Sequence, residues 1–372
     1  MANGRAVGLL LGVYISQQPL LSSAPYILSR NMDSERIQRV HRAFFPTHGP
    51  TPLRSVPDIA AQLGVKAVYV KDESQRCGLP AFKILGASWA IASLLSERWG
   101  VDPWDIEALK TMAKEEPGLT IFTATDGNHG RAVARTAALL GLQSHIYVPA
   151  TVEQWSIDAI KSEGSGPVTP VDADYDGAVA AASDASDAAG SLGVLIQDMS
   201  WDGYQLAPAR ITLGYMAISS EIESQASIPP TAVVVPVGVG SLAHSVVQWF
   251  HRPESTKSTR IITAEPDAAP CLHESLKNGK ETTTPGTRFT VMPGLNCGTV
   301  SPLAWPDLQA AVKPQDAMVV TDVEAEQAVK DLIANGVSAG PCGAAPLAAA
   351  RKVQFKADDV VVLICTEGQQ DK

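Results

Sequence analysis

Apolar residues fall into two kinds of run that alternate along the chain. Short, nearly unbroken stretches at residues 67–70, 119–124, 144–148, 167–171, 194–197, 231–235, 260–264 and 360–365 predict strands, several of them apolar enough to be buried on both faces. Between them, apolar residues recur every three or four positions. Ile84, Leu85, Ala87, Ile91, Leu94 and Leu95 open one such helix, others are predicted at residues 131–140, 152–162, 175–189 and 209–224, and one begins at Leu242. A charged helix at residues 34–43 and a short one at 56–63 precede the first strand, and Ala-rich helices surround residues 338–344. Residues 99–118 and 266–298 read as connections. Strands alternating with helices through brief loops argue a parallel sheet covered by helices on both faces.

Composition adds bounds. A chain of 372 residues, 45% of them hydrophobic, can hold two domains sharing one cleft. Lys and Arg number 29 against 39 Asp and Glu, a net charge of −10 with no basic block, which argues against a nucleic-acid partner. The five cysteines, at 77, 271, 297, 342 and 365, are widely spaced without a Cys-x-x-Cys pair, so no metal site is expected. Residues 6–15 form an apolar run too short to span a bilayer, and no convincing cleavage pattern closes it; a cytoplasmic protein with no membrane partner is expected.

Chemistry concentrates in four stretches. Lys83 lies at the predicted start of the helix that follows Lys71-Asp-Glu-Ser-Gln-Arg-Cys-Gly-Leu-Pro-Ala-Phe-Lys83. The positive end of a helix disfavours an ammonium there and promotes the neutral form that a Schiff base requires. Thr125-Asp-Gly-Asn-His-Gly130 joins a strand to a helix through a glycine-bearing turn, which presents backbone N–H groups to a carboxylate or phosphate. Pro236-Val-Gly-Val-Gly-Ser241 repeats that arrangement. Thr366 follows the last predicted strand, at the end where doubly wound sheets place ligands.

These stretches together resemble the fold-type II pyridoxal-phosphate enzymes, the tryptophan synthase β and threonine dehydratase superfamily, whose lysine motif is Lys-x-Glu, a spacer, then Ser-Phe-Lys-x-Arg-Gly-Ala. Ala81 and Leu85 replace the Ser and the Arg. Those departures, with Asp198-Met-Ser-Trp-Asp-Gly-Tyr204 and Gly294-Leu-Asn-Cys-Gly-Thr-Val-Ser301, are most similar to the diaminopropionate ammonia-lyase branch, where an Asn is usual at the position of Pro80.

The resemblance implies an α/β fold of two three-layer αβα domains with mostly parallel twisted sheets and the cofactor in the cleft between them. Residues 1–84 and 201–372 would form the larger, cofactor-binding domain, and 85–200 a smaller mobile substrate domain. It also implies pyridoxal 5'-phosphate on Lys83, with its phosphate held by Gly238, Val239, Gly240, Ser241 and Leu242, its ring hydroxyl by Asn128 and its ring nitrogen by Thr366. Thr125, Asp126, Gly127, Asn128 and His129 would bind an amino-acid substrate, with Lys83, Asp126 and Asp198 catalytic.

The implied reaction is α,β-elimination, most specifically of 2,3-diaminopropionate to pyruvate and ammonia, by a cytoplasmic homodimer. A threonine or serine dehydratase, a β-substituting biosynthetic enzyme, or a non-catalytic cofactor-binding paralogue are the alternatives. Retention of Lys83, Asn128 and the glycine loop argues against the last. Cysteines at both positions in that branch imply that Cys271 and Cys297 are neighbours in space, reduced in a cytoplasmic protein.

Overall fold

Unbroken apolar strands need cover on both faces, and the chain provides it around two separate sheets. The computed structural model describes residues 30–253, 255, 259–284 and 289–369, so the apolar run at residues 6–15 lies outside the described residues. The first elements are α1 (Arg30–Phe44), β1 (Leu53–Ser55), α2 (Pro57–Leu63), β2 (Ala67–Asp72), α3 (Ile84–Trp99) and α4 (Ile106–Glu115). Next come β3 (Thr120–Ala124), α5 (Asn128–Leu139), β4 (Gln143–Pro149), α6 (Gln154–Glu163), β5 (Val168–Val171), α7 (Tyr175–Ala188) and β6 (Gly193–Leu195). The chain continues through α8 (Leu206–Gln225), β7 (Ala232–Pro236), α9 (Ser241–Phe250), β8 (Arg260–Pro266), α10 (Cys271–Asn278) and α11 (Trp305–Ala311). It closes with β9 (Ala317–Val320), α12 (Asp322–Ala334), α13 (Pro341–Ala350) and β10 (Val360–Cys365).

The larger sheet has the order β1-β2-β10-β7-β8-β9 and the smaller β5-β4-β3-β6. Every pairing is parallel except the edge pair β1 and β2. The result is the α/β architecture of the fold-type II enzymes. The last strand, β10, inserts between β2 and β7 and is buried along its whole length.

Two helices stand where the sequence suggested connections. In α4 the buried residues are just Leu109 and Ala113, too thin an apolar stripe to declare itself among charged neighbours, and the helix is started by the Asp105 carboxylate accepting from Ala108 N–H at 3.0 Å. In α10 the first turn is held by a distant group. The Glu265 carboxylate accepts from the N–H groups of Leu272 and His273 at 2.7 Å each. The edge strands β1 and β9 are three and four residues long, below the length at which alternation is readable.

The two sheets are joined through α3, which packs against α8 beside the larger sheet and α5 beside the smaller. Glycine makes the first of these contacts possible. A β-carbon on Gly214 of α8 would stand 2.5 Å from the Leu85 carbonyl oxygen, and one on Gly86 of α3 would stand 2.5 Å from the Tyr215 ring. Gly214→Ala is therefore expected to destabilise the fold by about 1–3 kcal/mol through overpacking, in spite of alanine's better helix propensity. Urea unfolding measures this; a variant as stable as the parent would show that the helices separate without cost.

Candidate active site

Three adjacent parallel strands of the larger sheet, β2, β10 and β7, end side by side, and the loops that follow them carry Lys83, Thr366 and residues 237–241. In the smaller sheet the neighbours β3 and β6 likewise end together, and their loops carry residues 125–127 and Asp198. The Lys83 Nζ donates to Asp198 Oδ2 at 2.5 Å, so the carboxyl ends of both sheets face one cleft.

The loop from Glu73 to Phe82 is fixed on two sides. Along β10, Glu73 N–H donates to the Cys365 carbonyl, Phe82 N–H to the Thr366 carbonyl, and Gly368 N–H to the Pro80 carbonyl. Pro80, the departure from the ammonia-lyase pattern, thus serves through its backbone oxygen. Beneath the loop the Arg76 guanidinium donates to Glu73, Glu221 and Thr51, while Lys71 donates to the Thr51 carbonyl, Glu221 and Gln225. Arg76, Glu73 and Lys71 are buried, and mutual pairing is what makes their burial tolerable. The turn passes through Cys77, the one non-glycine residue with positive φ (53°) among the described residues, whose carbonyl accepts from Arg135 on α5.

Lys83 caps α3 and is 22% exposed at the cleft floor. The expectation of a neutral amine at this helix start needs correction. Burial is the largest single influence and acts against the ammonium, but the charge and hydrogen bond of Asp198, with Tyr215 and Cys297 adding to them, together raise the lysine's pKa above its ordinary value. Asp198 responds in kind: burial opposes its charge, yet the nearby Lys83 and His129 hold its pKa below the usual carboxylate range. Its backbone carbonyl accepts from the Ser241 hydroxyl at 2.6 Å, which ties it to the start of α9.

Asp126 has the opposite environment. Burial and the neighbouring Asp198 charge push its pKa up to about 6, with Lys83 pulling the other way. Two carboxyl groups with diverging pKa values beside an amine form an acid–base set.

The loop bearing Asp126 is partly self-satisfied. Thr125 N–H donates to the Tyr147 carbonyl, and the Thr125 hydroxyl accepts from Gly127 and Gly130 N–H. Of the five N–H groups expected to receive a substrate carboxylate, those of Thr125 and Gly127 are taken up inside the loop and its strand neighbour, while those of Asp126 and His129 have no protein acceptor among the described residues. Helix α5 starts at Asn128, three residues earlier than the periodicity indicated, which adds its positive end to this loop. His129 is buried with Nε2 against the Ile196 carbonyl and Nδ1 unpartnered, and burial lowers its pKa.

One functional neighbour was missed in the sequence. Glu367 accepts from Asn128 Nδ2 at 2.8 Å and from Cys342 N–H at 3.3 Å, linking the smaller sheet's helix to the larger sheet's last strand. Its only sequence signal was an acid directly after Thr366.

The cleft fits a phosphorylated pyridine aldehyde. Gly240 has φ of 94°, and a β-carbon on Gly238 would stand 3.0 Å from the Gly294 carbonyl oxygen and 3.1 Å from Cys297 Sγ. The N–H groups of Gly238, Val239, Gly240, Ser241 and Leu242 have no protein acceptor among the described residues, so the start of α9 presents a set of donors suited to a phosphate. The amine of Lys83 and the buried hydroxyl of Thr366 complete the set. Cys271 donates weakly to the Gly238 carbonyl at 3.6 Å and Cys297 Sγ also approaches that glycine; both are free thiols.

Comparison with known proteins agrees with this fit. The model of the family described as pyridoxal-phosphate dependent enzyme matches residues 44–367, and the chain belongs to that family; its cofactor is pyridoxal phosphate. Among curated relatives it is 34% identical to diaminopropionate ammonia-lyase of Escherichia coli strain K12, over 87% of this chain and 85% of the relative. It is 29% identical to the biosynthetic L-threonine dehydratase of Corynebacterium glutamicum, over 87% of this chain and 68% of the relative. Among solved structures, that of the Escherichia coli diaminopropionate ammonia-lyase in complex with D-serine superposes with a TM-score of 0.81 at 31% identity, covering 91% of this chain and 89% of the other.

Proposed function

We propose that this enzyme eliminates the β-amino group of 2,3-diaminopropionate, with water, to give pyruvate and two ammonia. The observation that carries the reading is the pair of carboxyl groups at the lysine, Asp198 bonded to Lys83 and Asp126 within reach of the charges of both. A Ser at position 126, usual in the superfamily, could neither act as a base nor pair with a cationic side chain at neutral pH.

Pyridoxal phosphate, when bound through Lys83, supplies the electron sink that makes an α-proton removable. The protein's own residues do the rest. The glycine loop and Thr366 hold the cofactor's ends, and Asn128, oriented by Glu367, meets its ring hydroxyl. The N–H groups of Asp126 and His129 orient the substrate carboxylate. Lys83 and Asp126 take the α-proton from opposite sides, and Asp198, held ionised and already paired with an amine at 2.5 Å, receives the amino group of the incoming substrate.

The reading extends to motion and assembly. The smaller sheet with its helices, within residues 85–200, closes over the substrate and excludes water, with the Asn128–Glu367 and Arg135–Cys77 bonds as the links that hold it shut. The enzyme works as a cytoplasmic homodimer. Five free cysteines suit a reducing compartment, and no helix among the described residues is long and apolar enough to cross a membrane.

A panel of D- and L-amino acids, read by pyruvate and ammonia release, tests the substrate. 2,3-Diaminopropionate is expected to have the highest kcat/KM. Preference for serine or threonine would make the enzyme a dehydratase instead, the reading that its similarity to threonine dehydratase supports.

A further inference from the structure

Tyr175 opens α7 and had no assigned role, yet its hydroxyl lies against the loop that carries Asp198. Gln197 Nε2 donates to the Tyr175 oxygen at 2.7 Å. The direction of that bond is fixed by a group that cannot turn. The Gln197 Oε1 accepts from the Ala124 backbone N–H at 3.1 Å and from the Thr123 hydroxyl at 3.0 Å, so the amide cannot flip without setting its NH2 donor against the Ala124 donor. The tyrosine oxygen therefore accepts, and its hydrogen must point elsewhere. Among the described residues no protein atom receives it. Burial, then the charges of Asp198, Cys297 and Asp126, hold the phenol's pKa well above its ordinary value, so the proton stays on. Those same three residues surround the cleft.

We infer that Tyr175 is a specificity-determining residue whose O–H donates to the lone pair of the substrate's β-heteroatom, here the uncharged β-amine of 2,3-diaminopropionate. The inference rests on the elimination reading and names the group that recognises the leaving substituent. Two carboxylates alone would attract a cationic side chain of any length. A fixed phenol donor between helix α7 and the Asp126 loop selects for a short one ending in an acceptor. Because a site built to hydrogen-bond a substrate group discriminates against analogues that lack it, the effect belongs in the ratio of two substrates and not in the absolute rate.

The test uses the cofactor-loaded Tyr175→Phe enzyme and two substrates: 2,3-diaminopropionate, and β-chloroalanine, whose chloride accepts hydrogen bonds only weakly. The ratio of their kcat/KM values is expected to fall about tenfold from the parent, the scale of one lost hydrogen bond. An unchanged ratio, whatever happens to the two rates, overturns the inference and leaves Tyr175 a packing residue. Should Tyr175→Phe lose its fold or its visible absorbance, Gln197→Glu carries the same test. It offers the phenol an acceptor, turns the hydrogen away from the cleft, and must lower the ratio likewise. If the parent enzyme turns over β-chloroalanine but not 2,3-diaminopropionate, the proposed function fails separately, and serine takes the diamine's place in the ratio.

Discussion

Replacement of Lys83 by alanine is expected to lower turnover by at least about 10³-fold, because one side chain serves both as the covalent anchor and as a base for the α-proton. The structure separates this lysine from the other one in the same stretch. Lys71 is fully buried, with its amine spent on the Thr51 carbonyl, Glu221 and Gln225, whereas Lys83 is partly exposed at the cleft floor with a single carboxylate partner. Borohydride treatment of the loaded enzyme should therefore fix the label on the peptide containing Lys83 and on no peptide ending at Lys71. Lys83→Gln supplies a control for structure. Its amide can still donate toward Asp198, so it avoids leaving that buried carboxylate alone, and it should be as inactive as the alanine variant. A label on any other lysine would show that the site is misplaced.

The second large effect concerns Asp126. If Lys83 and Asp126 serve opposite faces of the bound substrate, as proposed, each serves the enantiomer whose α-hydrogen it faces. Asp126→Asn preserves shape and removes the base, which should cost about 10²- to 10⁴-fold with D-2,3-diaminopropionate and far less with the L form, while cofactor absorbance stays the same. A pH signature accompanies the loss. A base must be ionised to act, and the pKa of Asp126 is pushed up to about 6, so turnover of the D substrate should rise as pH increases through that value. The asparagine variant should lack this step. Equal losses for both enantiomers would assign Asp126 to substrate binding, and a parent enzyme without D activity would remove the two-base arrangement.

The central strands of the larger sheet, β7, β8 and β10, were legible because burial on both faces leaves almost no polar position to blur them; the last, Val360–Cys365, was bounded to the residue. The strand-to-helix glycine loops were equally readable, since positive φ at Gly240 and close approach at Gly238 leave few alternatives to glycine. What the sequence concealed depends on contacts between distant residues. Lys83 meets a carboxylate 115 positions away, and that partner reverses the expected direction of its pKa. The Glu367 bond to Asn128 spans 239 positions, and α10 takes its start from Glu265 on the preceding strand. Linear spacing carries no trace of such pairs, so residue types were identified where charge states and partners were not. The Tyr175 hydroxyl was overlooked for the same reason: its direction follows from a glutamine pinned by another strand.

The central claim is release of both nitrogens of each substrate molecule as ammonia at the Lys83 cleft, the β-amino group by elimination and the α-amino group by hydrolysis. Its most direct test is to incubate the purified, cofactor-loaded enzyme with 2,3-diaminopropionate and measure both products in the same reaction. The account predicts two ammonia for every pyruvate, at a rate lost in Lys83→Ala. One ammonia per pyruvate from serine, with no pyruvate from the diamine, would contradict it.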